Sequence, residues 1–299
     1  MATTVKDNKC DVPEVFPLAT NDSTTTIINL AIAGSNLPFG IFAFLSNLAI
    51  IVAALKTPSL QRPSNILLCS LATSDCLIGL VAQPLFFIWW LFVQSPQKWC
   101  PYLKPVTIVS WISRMLPIAL SLTYMKVISL DRCYALCRPL AYRAKVTKRD
   151  AVKISVITAL TAMALVVLLN ILPLIHATVI SAIICIVFVI FPIANYIIMF
   201  VAVRYHNRKV QDMVSSLQLQ VILRREKKVA MNMFIVFVVF AICVTPKYVS
   251  LILSQSFGSL YPSIYLLSTT LLMLNSSINP ILYIWRDSGL RATLKSYAW

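Results

Sequence analysis

Of 299 residues, 59 % are hydrophobic and 12 % are charged, and the mean hydropathy is +0.82. A soluble domain carries about twice that charged fraction, and a chain of this length has no soluble core able to hide so much apolar surface. The net charge of +16 would point a soluble chain toward nucleic acid, but here the basic residues fall in short segments between apolar runs. That reads as membrane topology, with a lipid bilayer and no nucleic acid as partner.

A helix needs about 20 mostly apolar residues to cross the hydrocarbon core. Seven stretches qualify, roughly 30–55, 64–92, 104–136, 151–175, 177–204, 227–254 and 260–285. The fourth and fifth are almost continuous, so a tight turn is expected near 174–178, where Pro173 and His176 mark the break. The predicted fold is all-α. An N-terminal tail (1–29) precedes a seven-transmembrane-helix bundle (30–285) and a short amphipathic helix (286–299). That last helix carries Leu290, Leu294 and Tyr297 on one face, with Arg291 and Lys295 beside it.

Orientation follows from Lys and Arg. Nineteen of the 26 lie in one set of loops, from Lys56 and Arg62 to Arg291 and Lys295. Positive residues stay cytoplasmic, so the N-terminus is placed outside and the C-terminus inside. Asn21-Asp22-Ser23 is then a glycosylation sequon on the outer side, and the first helix must itself direct insertion. Of eight cysteines, only Cys10 and Cys100 lie clearly in the oxidising outer space, where they can bridge. No metal-ligand spacing is present.

Charges within spans are costly and therefore functional candidates. Asp75 is the carboxylate deepest in a span; Arg114, Lys126 and Lys247 are the cations. The motifs around them are ordered. Asn65 to Asp75, with Asn47 one helix earlier, opens the series. Asp131-Arg132-Cys133 and Arg138-Pro139-Leu140 follow. Cys243-Val244-Thr245-Pro246 and Asn279-Pro280-Ile281-Leu282-Tyr283 close it. Together they resemble the rhodopsin-like G-protein-coupled receptors over about residues 30–295. The resemblance implies a plasma-membrane receptor, not an enzyme, with an extracellular ligand and a heterotrimeric G protein as partners.

The departures from the family pattern lie mostly in the outer half. Val244 replaces the sixth-helix Trp, and the fourth helix lacks its usual Trp. Thr107 stands where the family's third-helix cysteine would be, and the second outer loop is nearly absent. Short outer loops without that bridge resemble the melanocortin, adenosine and cannabinoid neighbourhood.

At the inner face, the resemblance puts Glu226 opposite Arg132, beside Asp131 and Cys133. An ion pair there would be a bistable lock, unless Glu226 is only a solvated partner of nearby basic residues. On opening, Arg132 would face the C-terminal helix of a Gα subunit. Leu140 would be the apolar anchor, and Pro280 and Tyr283 would support the open form. Leu122, Pro192 and Phe240 occupy the packing-relay positions, or are ordinary core.

The resemblance also gathers Asn47, Ser121, Asn275, Ser276 and Asn279 around Asp75. That implies an allosteric sodium ion, or alternatively a protonated Asp in a water network. No other cofactor is expected. The middle of the seventh helix, around Met273, has no Schiff-base lysine for retinal.

In the outer half, Arg114 lies five helical turns above Arg132, at a position that carries Asp in amine receptors. Lys247 follows Pro246. Two cations without an acidic partner favour an acidic ligand: a carboxylate, a lipid or a peptide. The alternative is that both reach up to water. Met115, Ile118, Tyr248, Leu251, Tyr265 and Thr269 are the expected lining. A transporter would show repeats or a polar chain across the bilayer. A decoy receptor would show no coupling, which the loss of the Trp at Val244 keeps open.

Overall fold

The structure, a computed structural model, describes residues 23–58, 61–172, 235–236, 238–253, 260–286 and 288–297, with scattered helical positions within 179–201. The expected turn at 174–178 and the start of the sixth span lie outside the described residues. Among the described residues there is no strand.

Helix α1 runs Ser23–Lys56. It begins before the expected boundary at residue 30, so the last residues assigned to the tail are helical. Apolar content marks the hydrocarbon layer, whereas a helix continues into the headgroup region, where polar residues such as Ser23 and Thr24 are tolerated. Helix α2 (Pro63–Leu77) starts on a proline whose missing N–H costs nothing at a helix N-terminus. It passes into a π-helical turn, Ile78–Ala82, and then α3 (Gln83–Gln94). The wide turn has a local cause. Pro84 has no N–H to donate, and the Gln83 N–H reaches back to the Ile78 carbonyl. One extra residue in the turn rotates everything after it.

Helix α4 (Pro96–Cys137) is bent at Trp99, whose φ of −109° and ψ of 15° are not helical. Short α5 (Pro139–Lys145) is followed by α6 (Lys148–Ile171). Thr147 and Asp150 cap α6 reciprocally: the Asp150 N–H donates to Thr147 Oγ1, and the Thr147 N–H donates to Asp150 Oδ2. Helix α7 spans Val238–Ile252, α8 Tyr261–Arg286 and α9 Ser288–Tyr297. Leu290 of α9 is buried and Leu294 packs on the same core, so the amphipathic terminal helix lies against the bundle.

Among the described residues, four segments are long and apolar enough to cross a membrane: Ser23–Lys56, Pro63–Gln94, Lys98–Cys137 and Lys148–Ile171. Their outward faces are apolar, with Ile157 62 % exposed and Ile242 on α7 66 %. Inward faces, that of α8 included, hold Asn36, Asn47, Asp75, Gln83 and Asn279, all fully buried. This inverts a soluble protein, as expected where lipid is the solvent. Between helices, small and hydroxyl residues do the joining. A β-carbon on Gly40 of α1 would stand 2.7 Å from the Gly79 carbonyl oxygen in the π-helical turn, so only glycine permits this crossing. Ser155 of α6 meets Ser70 of α2 (Oγ–Oγ 2.6 Å), and the Tyr124 hydroxyl donates to the Ser155 carbonyl at 3.1 Å. Cys100 is disulfide-bonded. Its partner lies outside the described residues, as does Cys10.

Candidate functional site

The outer half of the bundle holds both buried cations. Arg114 of α4 is 1 % exposed and donates to Ser110 Oγ, one turn earlier, at 2.5 Å. Its guanidinium lies 4.7 Å from the centre of the Phe86 ring and 5.5 Å from that of Trp89. Trp89 is itself fixed, its Nε1–H donating to Thr107 Oγ1 at 3.1 Å. Lys247 of α7 donates to Thr269 Oγ1 at 2.8 Å, and its Nζ sits 3.2 Å from the centre of the Tyr265 ring. Arg114 also hydrogen-bonds Tyr265, so this tyrosine stands between the two cations.

Among the described residues neither cation meets a carboxylate; the ion pair found there is Arg132–Asp131. A desolvated cation–π contact contributes about 2 kcal/mol, less than the several kcal/mol that burial of a charge costs. Ring faces and hydroxyls therefore leave the pocket electropositive. Of the expected lining, Tyr265 and Thr269 touch Lys247 directly, while Ile118 is buried and Met115, Tyr248 and Leu251 are half-buried on the same helices. Phe86, Trp89 and Ser110 were not foreseen. Ser110 was within reach of sequence reasoning, because it lies four residues before Arg114. The two aromatics were not, because the extra residue of the π-helical turn decides which way they face.

Deeper in the bundle, Asp75 is fully buried. Ser121 and Ser276 donate to its Oδ1 at 3.1 and 2.8 Å, and Asn279 Nδ2 donates to Oδ2 at 2.8 Å. Two expected members stand further off. Asn47 Nδ2 donates instead to the Ala43 and Ser276 carbonyls, touching Asp75 only at one remove. Asn275 shows no bond to Asp75. Among the described residues, the side-chain oxygens of Asn47, Asn275 and Asn279 are buried and unpartnered. A carboxylate beside orphaned neutral oxygens is a donor set that suits a hard monovalent cation with water.

At the inner end, Arg132 pairs with Asp131, its neighbour in sequence. Asp131 also accepts from Ser64 Oγ at 3.0 Å and from the Tyr142 hydroxyl at 2.8 Å, tying α2, α4 and α5 together. Burial and the Asp131 carboxylate push the Tyr142 phenol up to about 12, so it stays a donor at physiological pH. Cys133 Sγ lies 3.9 Å from Cys137 Sγ. Leu140 is in α5, and Tyr283, one turn after Pro280, is buried. Leu122 and Phe240 belong to one core cluster with Ile118 and Val244. Glu226, Pro192 and Asn21 lie outside the described residues.

Residues 46–283 match the family described as 7 transmembrane receptor (rhodopsin family). The chain belongs to that family. It is therefore a multi-pass membrane receptor with a seven-helix bundle, not an enzyme. It is similar to the 5-hydroxytryptamine receptor 1E of Homo sapiens and of Pan troglodytes, 35 % identical over 115 residues in each case. Those alignments cover 38 % of this chain and 30 % of the relative, so the chain matches about a third of these relatives' length. It is also similar to trace amine-associated receptor 5 of Mus musculus, 24 % identical over 280 residues, covering 84 % of this chain and 80 % of the relative.

Proposed function

We propose that this receptor lies in the plasma membrane with its N-terminus outside, binds an extracellular ligand bearing an anionic group, and activates a heterotrimeric G protein. The observation that carries the ligand class is the pair Arg114 and Lys247, buried together without a carboxylate among the described residues. The relatives are named for amines. A protonated amine brought between two buried cations would be repelled, whereas a carboxylate or phosphate would complete both. Arg114 would bind it in bidentate fashion and Lys247 as a point charge, with Phe86, Trp89 and Tyr265 shaping an aromatic wall. Inside the bundle, Asp75 with Ser121, Ser276 and Asn279 would hold a sodium ion, with the orphaned oxygens of Asn47 and Asn275 nearby through water. At the inner face, release of Arg132 from its partners would open the cleft for the Gα C-terminal helix.

A screen of Gα dissociation in cells against acidic metabolites, lipids and peptides tests this reading, with Arg114→Ala as control. An agonist that loses potency on Arg114→Ala supports it. Agonists confined to amines, with potency indifferent to Arg114, would sink it.

A further inference from the structure

Gln83 opens α3 immediately after the π-helical turn and is fully buried. Among the described residues, neither its Oε1 nor its Nε2 has a hydrogen-bond partner. A buried primary amide left dry forfeits all the bonds it makes in water, which is among the larger penalties open to a neutral side chain. Its surroundings are polar. On the facing helix, a β-carbon at Gly40 would lie 3.0 Å from Gln83 Oε1, so the two are in contact. One turn further along α1, Asn36 Nδ2 donates to Thr270 Oγ1 of α8 at 3.0 Å, while Asn36 Oδ1 is buried and unpartnered. Gly40, which touches Gln83, and Asn36, which holds Thr270, are four residues apart and so lie on one face of α1, which turns these polar groups of three helices toward the same region.

We propose that Asn36, Gln83 and Thr270 enclose an internal hydration site between α1, the π-helical turn and α8, occupied by ordered water. Water fits because the site offers donors and acceptors together. A cation could use only the oxygens, and Gln83 Nε2 would stay unpaired. A buried water makes about three hydrogen bonds, and three orphaned atoms wait here: Gln83 Oε1, Gln83 Nε2 and Asn36 Oδ1.

The place of this water gives it a role. Phe86, three residues beyond Gln83, lies under Arg114, and Thr269, next to Thr270, holds Lys247. Gly79 and Asp75 lie one and two turns on the other side of Gln83. The water therefore stands between the cationic pocket and the Asp75 site. It offers a polar connection along α1 and α8 where Val244 has removed the aromatic one from α7. That consequence rests on the ligand and sodium readings above; the hydration itself does not.

The full-length receptor in lipid nanodiscs is labelled by radiolytic hydroxyl radicals in oxygen-18 water, and incorporation is read by mass spectrometry. Phe86 and Met273, both fully buried and three residues along the chain from Gln83 and Thr270, should label severalfold more than Phe240, which is buried in the same apolar cluster but distant in sequence from these polar groups. Gln83→Met should bring them down to the level of Phe240. Equal labelling of Phe86, Met273 and Phe240 in the unaltered receptor overturns the proposal. Melting temperature gives an independent sign. Removing a hydrated amide breaks bonds, so Gln83→Met should lower it; a value equal to or above that of the unaltered receptor means the amide was dry. If Gln83→Met fails to fold, Thr270→Val supplies the same loss of labelling. For the connection, Gln83→Met should weaken the effect of sodium on ligand affinity, and an undiminished effect overturns the link. If Asp75→Asn itself leaves sodium sensitivity intact, the sodium reading fails while the labelling result still decides the hydration site.

Discussion

The two ends of this bundle treat buried charge in opposite ways. In the inner half, Asp131 is met by Arg132, Ser64 and Tyr142, so its charge is compensated within the protein, while Asp75, deeper in the bundle, receives three neutral donors. In the outer half, Arg114 and Lys247 are held by ring faces and hydroxyls, with no opposite charge among the described residues. A compensated site can rest in one state. An uncompensated one gains when a ligand supplies the missing charge, which is why the proposed ligand site lies in the outer half.

The largest expected effect breaks the outer half. Arg114→Ala should cut the potency of an anionic agonist by about 10- to 100-fold in Gα activation, the size of a lost charge-assisted hydrogen bond. Arg114→Lys should recover only part, since it keeps charge without the planar fork. Next comes Asp75→Asn, which should abolish the dependence of agonist affinity on sodium while leaving affinity in its absence within a few-fold; saturation binding with and without sodium reads both. Glu226→Ala should raise ligand-independent G-protein activation if the inner lock exists, and unchanged basal activity counts against it. Tyr142→Phe removes one donor to Asp131 and should cost about 1 kcal/mol, read as a melting temperature lower by roughly 2–4 °C.

The smallest effect is a pH dependence at the same residue. The folded value of Tyr142 is raised to about 12, above the unfolded value of about 10. Its contribution is therefore fully present below about pH 10 and lost as pH climbs toward about 12. Melting curves between pH 6 and 9 should show no Tyr142-dependent slope, and the alkaline loss should be smaller in Tyr142→Phe. A Tyr142-dependent slope near neutrality would contradict the compensated inner cluster.

Much of this was legible along the chain. Apolar lengths marked the spans because hydrocarbon thickness acts on composition directly, and the basic asymmetry predicts the orientation through leaflet charge. Asp75, Arg114 and Lys247 declared themselves because an ionisable group inside a span is rare whatever it touches. The partners were less visible. Ser121, Ser276 and Asn279 donate to Asp75, whereas Asn47 turns to backbone carbonyls. Which of several short polar groups takes a hydrogen bond is a matter of ångströms that spacing does not encode.

Sequence by itself determined a membrane chain, its charged positions and the inner motifs, since each depends on composition or on short-range order. Only tertiary structure decided what meets Arg114. One extra residue in the turn at Ile78–Ala82, set by Pro84, rotates Phe86 and Trp89 beneath the guanidinium and buries Gln83 against Gly40. A rotation of a helix about its axis leaves composition and periodicity almost unchanged while choosing every long-range contact that follows it.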